Sequence, residues 1–275
     1  MHCYYYLHSF YSDWNIGVAL AQIGKSKGYQ VILTVPNMIA KEKIVYSERF
    51  GAKVYLQPLV PFTDPENFER KAASIAASIP GSVHTNQFDN LANFRSHFEG
   101  TGPEIWSQLN GKVTAFASSS GTGGTISGIS AYLKQVSPTT QVVLVDPMGS
   151  CLYSYIKTGK LESTGKSTIE GIGSSKVTAN FKNAKIDDAV RVSDQEAVEM
   201  AYYLMRNEGL FVGYSASLNV VGAVKVAKGL PAGSTVVTIL CDGGERYLSK
   251  IYDDKWLVQQ DLVPVATGQS LGFVA

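Results

Sequence analysis

Three short segments of this chain are apolar on both faces: YQVILTVP (29–36), QVVLVDP (141–147) and STVVTILCD (234–242). Strands of that kind are shielded from water on both sides, as happens in parallel sheets covered by helices. Helical patterns stand between them. IGVALAQIGKSKG (16–28) stops at Gly28, and KEKIVYSERFG (41–51) ends in glycine before a strand, AKVYLQ (52–57). Glycine is the residue that most readily closes a helix in the left-handed conformation. PENFERKAASIAAS (65–78) reads as a helix with Pro65 near its first turn. A strand, KVTAFAS (112–118), runs into a helix, TISGISAYLKQV (125–136). DQEAVEMAYYLMRNEG (194–209) is predicted helical, capped by Asp194 and stopped at Gly209, and ASLNVVGAVKVAKG (216–229) is the last clear helix. Tyr4 to Leu7 is predicted to be a buried strand. The expected class is α/β, with mostly parallel sheets flanked by helices.

Two stretches lack periodicity. Residues 158–190 are rich in Gly, Ser and Lys and are predicted to form a long excursion. Long loops of this kind often carry function. TNQFDNLANFRSHFEG (85–100) is dense in polar groups and is predicted to cross between two lobes, residues 1–88 and 89–275.

Bulk properties exclude several classes. The formal net charge of the 275 residues is +1, without a Lys/Arg run, so neither nucleic acid nor an anionic membrane is an expected partner. Cys3, Cys151 and Cys241 show neither disulfide nor zinc spacing, and a reducing compartment, the cytoplasm, is expected. Apolar runs fall short of the ~20 residues that span a bilayer, and MHCYYYLHSFYS lacks the pattern of a signal peptide. His2, His8, His84 and His97 have no metal spacing, so no metal site is expected; His97 reads as a helix-surface residue and Cys241 as core.

The most informative turn is Gly121-Thr122-Gly123-Gly124-Thr125, between a buried strand and a helix. In open parallel sheets ligands sit beyond the carboxyl ends of the strands. A glycine turn there frees backbone N–H groups, the helix N-terminus adds partial positive charge, and threonines add hydroxyls, so the place suits a phosphate. The glycines also permit positive φ and close approach of a ligand. A dinucleotide fingerprint is the nearest rival, with Gly121, Gly123 and Gly128 loosely placed, but the spacing is wrong and Asp146 is followed directly by proline.

Five segments, in order, are similar to the cysteine synthase and cystathionine β-synthase family. They are VHTNQFDNLANFRSHFEGTGPEIW (83–106), SGTGGTISG (120–128), IEGIG (169–173), GLFVGYSASLN (209–219) and CDGGERYLS (241–249). The flavour is that of its cysteine synthase 2-like branch. The resemblance implies a two-lobed, tryptophan synthase β-like fold (pyridoxal-phosphate fold type II), with pyridoxal 5′-phosphate as cofactor and a small amino acid as substrate. It implies that Gly121, Thr122, Gly123, Gly124 and Thr125 hold the phosphate, that Ser215 meets the pyridine nitrogen and that Asn15 meets the ring oxygen. Gln87 and Gly171 would lie against the substrate. On residues alone, Asn15 and Ser215 also read as helix N-caps. A homodimer, and the tail of a serine acetyltransferase as partner, are further implications.

The chain departs from the family in two places. Ser12-Asp13-Trp14 stands before Asn15 where the family has Thr-Ser-Gly, which opposes a substrate carboxylate by size and by like charge. The family's lysine, which forms a Schiff base with the cofactor aldehyde within an Asn-Pro-x-x-Ser-x-Lys-Asp-Arg type motif, has no counterpart before Asn15. Lys25 and Lys27 lack that motif and read as a solvated helix end. No catalytic residue is therefore assigned. The expectation is a chain related to the enzyme without its first segment, holding its cofactor non-covalently and impaired in β-replacement on O-acetylserine. The alternative is a non-catalytic ligand- or partner-binding module on the same scaffold.

Overall fold

The structure, a computed structural model, describes residues 6–10, 14–60 and 62–275, with side chains from Ile16 onward. The chain divides into two compact units, residues 1–87 and 88–275. It belongs to the α/β class predicted from the strand pattern, with two parallel sheets flanked by helices.

The first unit is built on a four-stranded sheet in the order β3-β2-β1-β4, from β1 (Tyr6–Phe10), β2 (Gln30–Pro36), β3 (Lys53–Gln57) and β4 (Ser82–His84). β1 lies between β2 and β4, with Leu7 opposite both Val31 and Val83. Of the strand expected at Tyr4–Leu7, Tyr6 and Leu7 lie in β1, which runs on to Phe10, and Tyr4 and Tyr5 lie outside the described residues. Helices α1 (Trp14–Ser26), α2 (Lys41–Arg49) and α3 (Phe68–Ser78) complete the unit. Gly28 and Gly51 close the first two with φ of +77° and +84°. Helix α3 begins later than expected. Its cap is Asn67, whose side chain accepts the Glu69 N–H, and Pro65 lies outside the helix. A small core of Val18, Ala21, Val31, Leu33, Val35 and Ala52 joins α1 to the sheet.

The second unit carries the order β7-β6-β5-β8, all parallel, from β5 (Ala115–Ser118), β6 (Gln141–Pro147), β7 (Asp188–Val192) and β8 (Val236–Val237). Alternation along β5 and β6 sorts its two faces. Phe116, Val142 and Leu144 pack with Ile126, Ile129 and Leu133 of α6 (Gly124–Val136). Ala115, Ala117, Val143 and Val145 pack with α8 (Asp194–Tyr203) and α9 (Tyr214–Lys228). Helix α9 approaches so closely that a Cβ on Gly222 would lie 2.3 Å from Val145 Cγ2. Each large side chain buried in this way contributes about 1.5–3 kcal/mol.

Several expectations need correction. Residues 92–108 are a helical run inside the second unit: α4 (Ala92–Ser96), a π-helical turn (His97–Thr101) and α5 (Gly102–Gln108). A Cβ on Gly128 would meet Phe94 O at 2.5 Å and one on Gly102 would meet Tyr132 Cβ at 2.8 Å, so glycines let this run lie against α6. Within the excursion, β7 adds an edge strand, and α7 (Leu152–Thr158) precedes it. The cap of α8 is Ser193, in a reciprocal capping box with Glu196, and not Asp194. The segment 234–242 forms only the short strand β8 and is half-exposed for most of its length, because among the described residues it pairs with β5 alone. The last short helix is α10 (Asp254–Gln259).

Candidate active site

The glycine turn leaves β5 at its carboxyl end and enters α6. Its three glycines have different reasons to be there. Gly123 takes φ +90°, and a Cβ on it would sit 2.7 Å from the Phe181 backbone nitrogen. Gly124 opens the helix, and a Cβ there would fall 2.0 Å from Asn93 Oδ1. The space beside Gly124 is thus taken by a protein side chain, so close approach of a ligand is not what requires glycine at that position. Gly121 is half-buried.

The threonines are held as well. Thr122 Oγ1 accepts from Asn93 Nδ2 (2.9 Å) and from the Gly124 N–H (3.4 Å), while the Thr122 carbonyl accepts from Thr178 Oγ1 (2.7 Å). Thr125 Oγ1 lies 3.2 Å from His97 Nε2, whose other ring nitrogen lies 2.9 Å from Thr101 Oγ1. His97 is therefore half-buried and bridging, not the surface residue expected. Burial holds its imidazole below the ordinary range, which keeps the ring neutral at pH 7.

Four of the sequence motifs meet at this edge. The Gly173 N–H, from the IEGIG loop, donates to the Ser120 carbonyl at 2.8 Å. At the loop's entrance Thr168 Oγ1 lies 3.2 Å from the Tyr214 hydroxyl, and Thr168 and Ser167 both donate to the Asp194 carboxylate. Burial, and Asp194 beside it, push the Tyr214 phenol well above its usual range, so it remains a neutral hydroxyl. Glu170 pairs with Lys250 at 2.7 Å, and the Gly213 N–H donates to the Asp242 carbonyl at 2.9 Å, which joins the CDGG segment. Gly171 turns with φ +82° in the middle of this loop.

Ser215 is the second residue of α9, whose cap is Gly213, so it is not the N-cap. It is 4% exposed, and among the described residues its hydroxyl has no hydrogen-bond partner. Asn219, four residues on and on the same face of α9, is wholly buried. Its Oδ1 accepts the Ser119 N–H at 2.7 Å and its Nδ2 donates to the Ile239 carbonyl at 2.8 Å and toward Cys241 Sγ at 3.4 Å. This clamp brings the first turn of α9 to the edge where the glycine turn begins. Cys241 is only half-buried, because it lies on the exposed margin past β8. Asn219 and Asn93 were missed from sequence. Both stood inside recognised motifs, but a partner 29 residues away, as for Asn93, or 100, as for Asn219, leaves no local signal.

Asn15 takes the second position of α1, so it is not an N-cap either; its side chain, and Ser12 and Asp13, lie outside the described residues. Gln87 is buried at the end of the first unit. Lys25 and Lys27 are exposed at the end of α1. Among the described residues there is no group of three His, Cys, Asp or Glu fit for a metal, and no helix is long and apolar enough to cross a membrane.

A phosphate fits such a turn: an αL glycine, a helix N-terminus and, at Thr122, a buried hydroxyl that has no acceptor among the described residues. The sequence profile of the pyridoxal-phosphate dependent enzymes matches residues 11–242. The chain belongs to that family. It is 45% identical to the cysteine synthase 1 of Neurospora crassa over 254 residues, 90% of this chain and 68% of that protein. It is 43% identical to the cysteine synthase of Dictyostelium discoideum over 268 residues, 94% of this chain and 71% of that one. Among solved structures it resembles the O-acetylserine dependent cystathionine β-synthase of Helicobacter pylori, with TM-score 0.83 and 32% identity, over 92% of this chain and 80% of that one. The family resemblance read from the five motifs is thereby established, and the two curated relatives named above are cysteine synthases.

Proposed function

We propose that this chain holds pyridoxal 5′-phosphate at the carboxyl edge of its second sheet, on a scaffold made for the β-replacement of O-acetylserine by sulfide, giving cysteine and acetate. The observation that supports it is the meeting of the glycine turn, the IEGIG loop and helix α9 through direct hydrogen bonds, Gly173 N–H to the Ser120 carbonyl and Ser119 N–H to Asn219, with the Ser215 hydroxyl buried on the first turn of α9. Gly121 to Thr125 would hold the phosphate through N–H groups and hydroxyls. Ser215 would accept or donate one hydrogen bond at the pyridine nitrogen. When bound, the coenzyme supplies an electron sink for charge developing at the substrate α-carbon. A neutral hydroxyl at the nitrogen stabilises a protonated ring less than a carboxylate does, which suits elimination and replacement at the β-carbon.

The roles the resemblance gives Asn15, Gln87 and Gly171 belong to the same proposal. So do a homodimer and a reducing, cytoplasmic setting. β-Replacement also needs a base that takes the substrate α-proton and returns it. Lys25 and Lys27 stand exposed without the family's motif, so these 275 residues are proposed to bind the coenzyme non-covalently and to be impaired or inactive in the full reaction. The same observation favours, as second reading, a non-catalytic module that binds a ligand or a serine acetyltransferase tail.

The test is purification with pyridoxal 5′-phosphate, absorbance before and after dialysis, borohydride treatment, and mass mapping of peptides. The expected protein is yellow, loses its colour on dialysis, carries no borohydride-fixed lysine adduct and makes no cysteine from O-acetylserine and sulfide. A fixed adduct on Lys25, Lys27 or another lysine overturns the non-covalent reading. Absence of any coenzyme binding overturns the whole.

A further inference from the structure

We infer that Asn93 is a positioning residue that sets the hydrogen-bond direction of the phosphate turn, by forcing the Thr122 hydroxyl to donate outward. This rests on the reading of the turn as the coenzyme's phosphate site.

A hydroxyl has one proton and two acceptor positions. At Thr122 both acceptor positions are taken, one by Asn93 Nδ2 at 2.9 Å and one by the Gly124 N–H at 3.4 Å. The O–H proton has only the remaining tetrahedral direction, and among the described residues it finds no acceptor, although Thr122 is only 7% exposed. A buried donor without an acceptor is costly, and an anion in the turn relieves that cost. The arrangement is rigid on every side. The Thr122 carbonyl is fixed by Thr178 Oγ1 at 2.7 Å. Helix α4, which carries Asn93, is fixed by Asn180, whose Oδ1 accepts the Phe94 N–H at 3.2 Å and whose Nδ2 donates to the Phe88 carbonyl at 2.7 Å. Gly124 leaves the room: any side chain there would displace the Asn93 amide, 2.0 Å from where its Cβ would stand. The second glycine of the pair thus serves the asparagine, and the asparagine serves the hydroxyl.

The substitution Asn93→Asp keeps the shape and reverses the polarity. A carboxylate accepts, so the Thr122 proton turns inward and its lone pairs face the anion, with a negative charge added nearby. Asn93→Ala removes the constraint without charge. The measurement is the dissociation constant of pyridoxal 5′-phosphate by tryptophan fluorescence, with inorganic phosphate as competitor and pyridoxal, which lacks the phosphate, as control. Asn93→Asp is expected to weaken pyridoxal 5′-phosphate and inorganic phosphate by roughly ten-fold or more, about what one hydrogen bond to a charged group is worth, and to leave pyridoxal unchanged. In a Thr122→Val background the Asn93→Ala effect is expected to vanish, because the hydroxyl it orients is gone. A purely structural role would persist in that background and would weaken pyridoxal too.

Equal affinity of wild type and Asn93→Asp for pyridoxal 5′-phosphate overturns this inference alone. An undiminished Asn93→Ala effect in Thr122→Val also overturns it. Failure of the wild type to bind either phosphate compound overturns the reading of the site itself. Melting curves of each variant show that the comparison is made between folded proteins.

Discussion

The side chain of Asn219 accepts the backbone N–H of Ser119 at 2.7 Å across 100 residues of sequence. That bond ties the start of the glycine turn to helix α9, and the same amide reaches the Ile239 carbonyl at 2.8 Å. One wholly buried asparagine therefore holds three segments of the sheet edge together. Replacing it by alanine leaves the buried Ser119 N–H and the part-buried Ile239 carbonyl unpaired. Asn219→Ala is expected to lose about 2–4 kcal/mol of stability, measured by urea denaturation, and to weaken coenzyme binding with it.

Gly123 combines φ +90° with a neighbour 2.7 Å from its absent Cβ. The left-handed conformation and the overlap with Phe181 together make Gly123→Ala cost about 2–4 kcal/mol. Gly209 is the control. It has φ +68° with nothing within 4 Å, so Gly209→Ala is expected to cost only about 1 kcal/mol, the dihedral part alone. Thermal melts of the two variants separate the terms.

Among the described residues the Ser215 hydroxyl has no hydrogen bond to lose, so Ser215→Ala is expected to change stability by less than about 1 kcal/mol. Its effect belongs to the coenzyme. The absorption maximum of bound pyridoxal 5′-phosphate is expected to shift in Ser215→Ala, and more in Ser215→Asp, where a carboxylate favours the protonated ring. Spectra identical to wild type in both would place Ser215 away from the pyridine nitrogen.

Asp146, on β6, has no exposed surface, and burial raises its pKa to about 6, against the Tyr153 N–H, the Ser150 hydroxyl and Arg191, which act to lower it. One carboxylate oxygen accepts the Tyr153 N–H at 2.8 Å. The folded state therefore holds this proton more tightly than the unfolded chain. Its contribution to stability is full below pH 4 and is lost as pH rises through about 6, a change of about 3 kcal/mol. Asp146→Asn is expected to flatten that part of the stability profile between pH 4 and 6.5. A slope unchanged from wild type would show that other groups carry it.

Much of the scaffold was legible because its signals are local. The both-face apolar run at Gln141–Pro147 predicted β6 to the residue, and Gly28 and Gly209 marked where helices end. The glycine turn at 121–125 could be placed between a strand and a helix for the same reason. The failures are equally physical. STVVTILCD has the pattern of a buried strand but runs along a sheet margin, where only two residues pair. The polar run 85–100 does contain the division between the two units, after Gln87, but the polar groups of Asn93 and His97 within it are aimed at Thr122 and Thr125.

The sequence by itself determined the fold class, the family and the five motifs, because backbone propensity, hydrophobic alternation and turn chemistry act over a few residues. Tertiary structure alone decided which motif touches which, why Gly124 must lack a side chain, and which way the Thr122 hydroxyl faces. Those facts depend on hydrogen bonds and packing between residues dozens to a hundred positions apart, and such pairings exist only once the chain has folded.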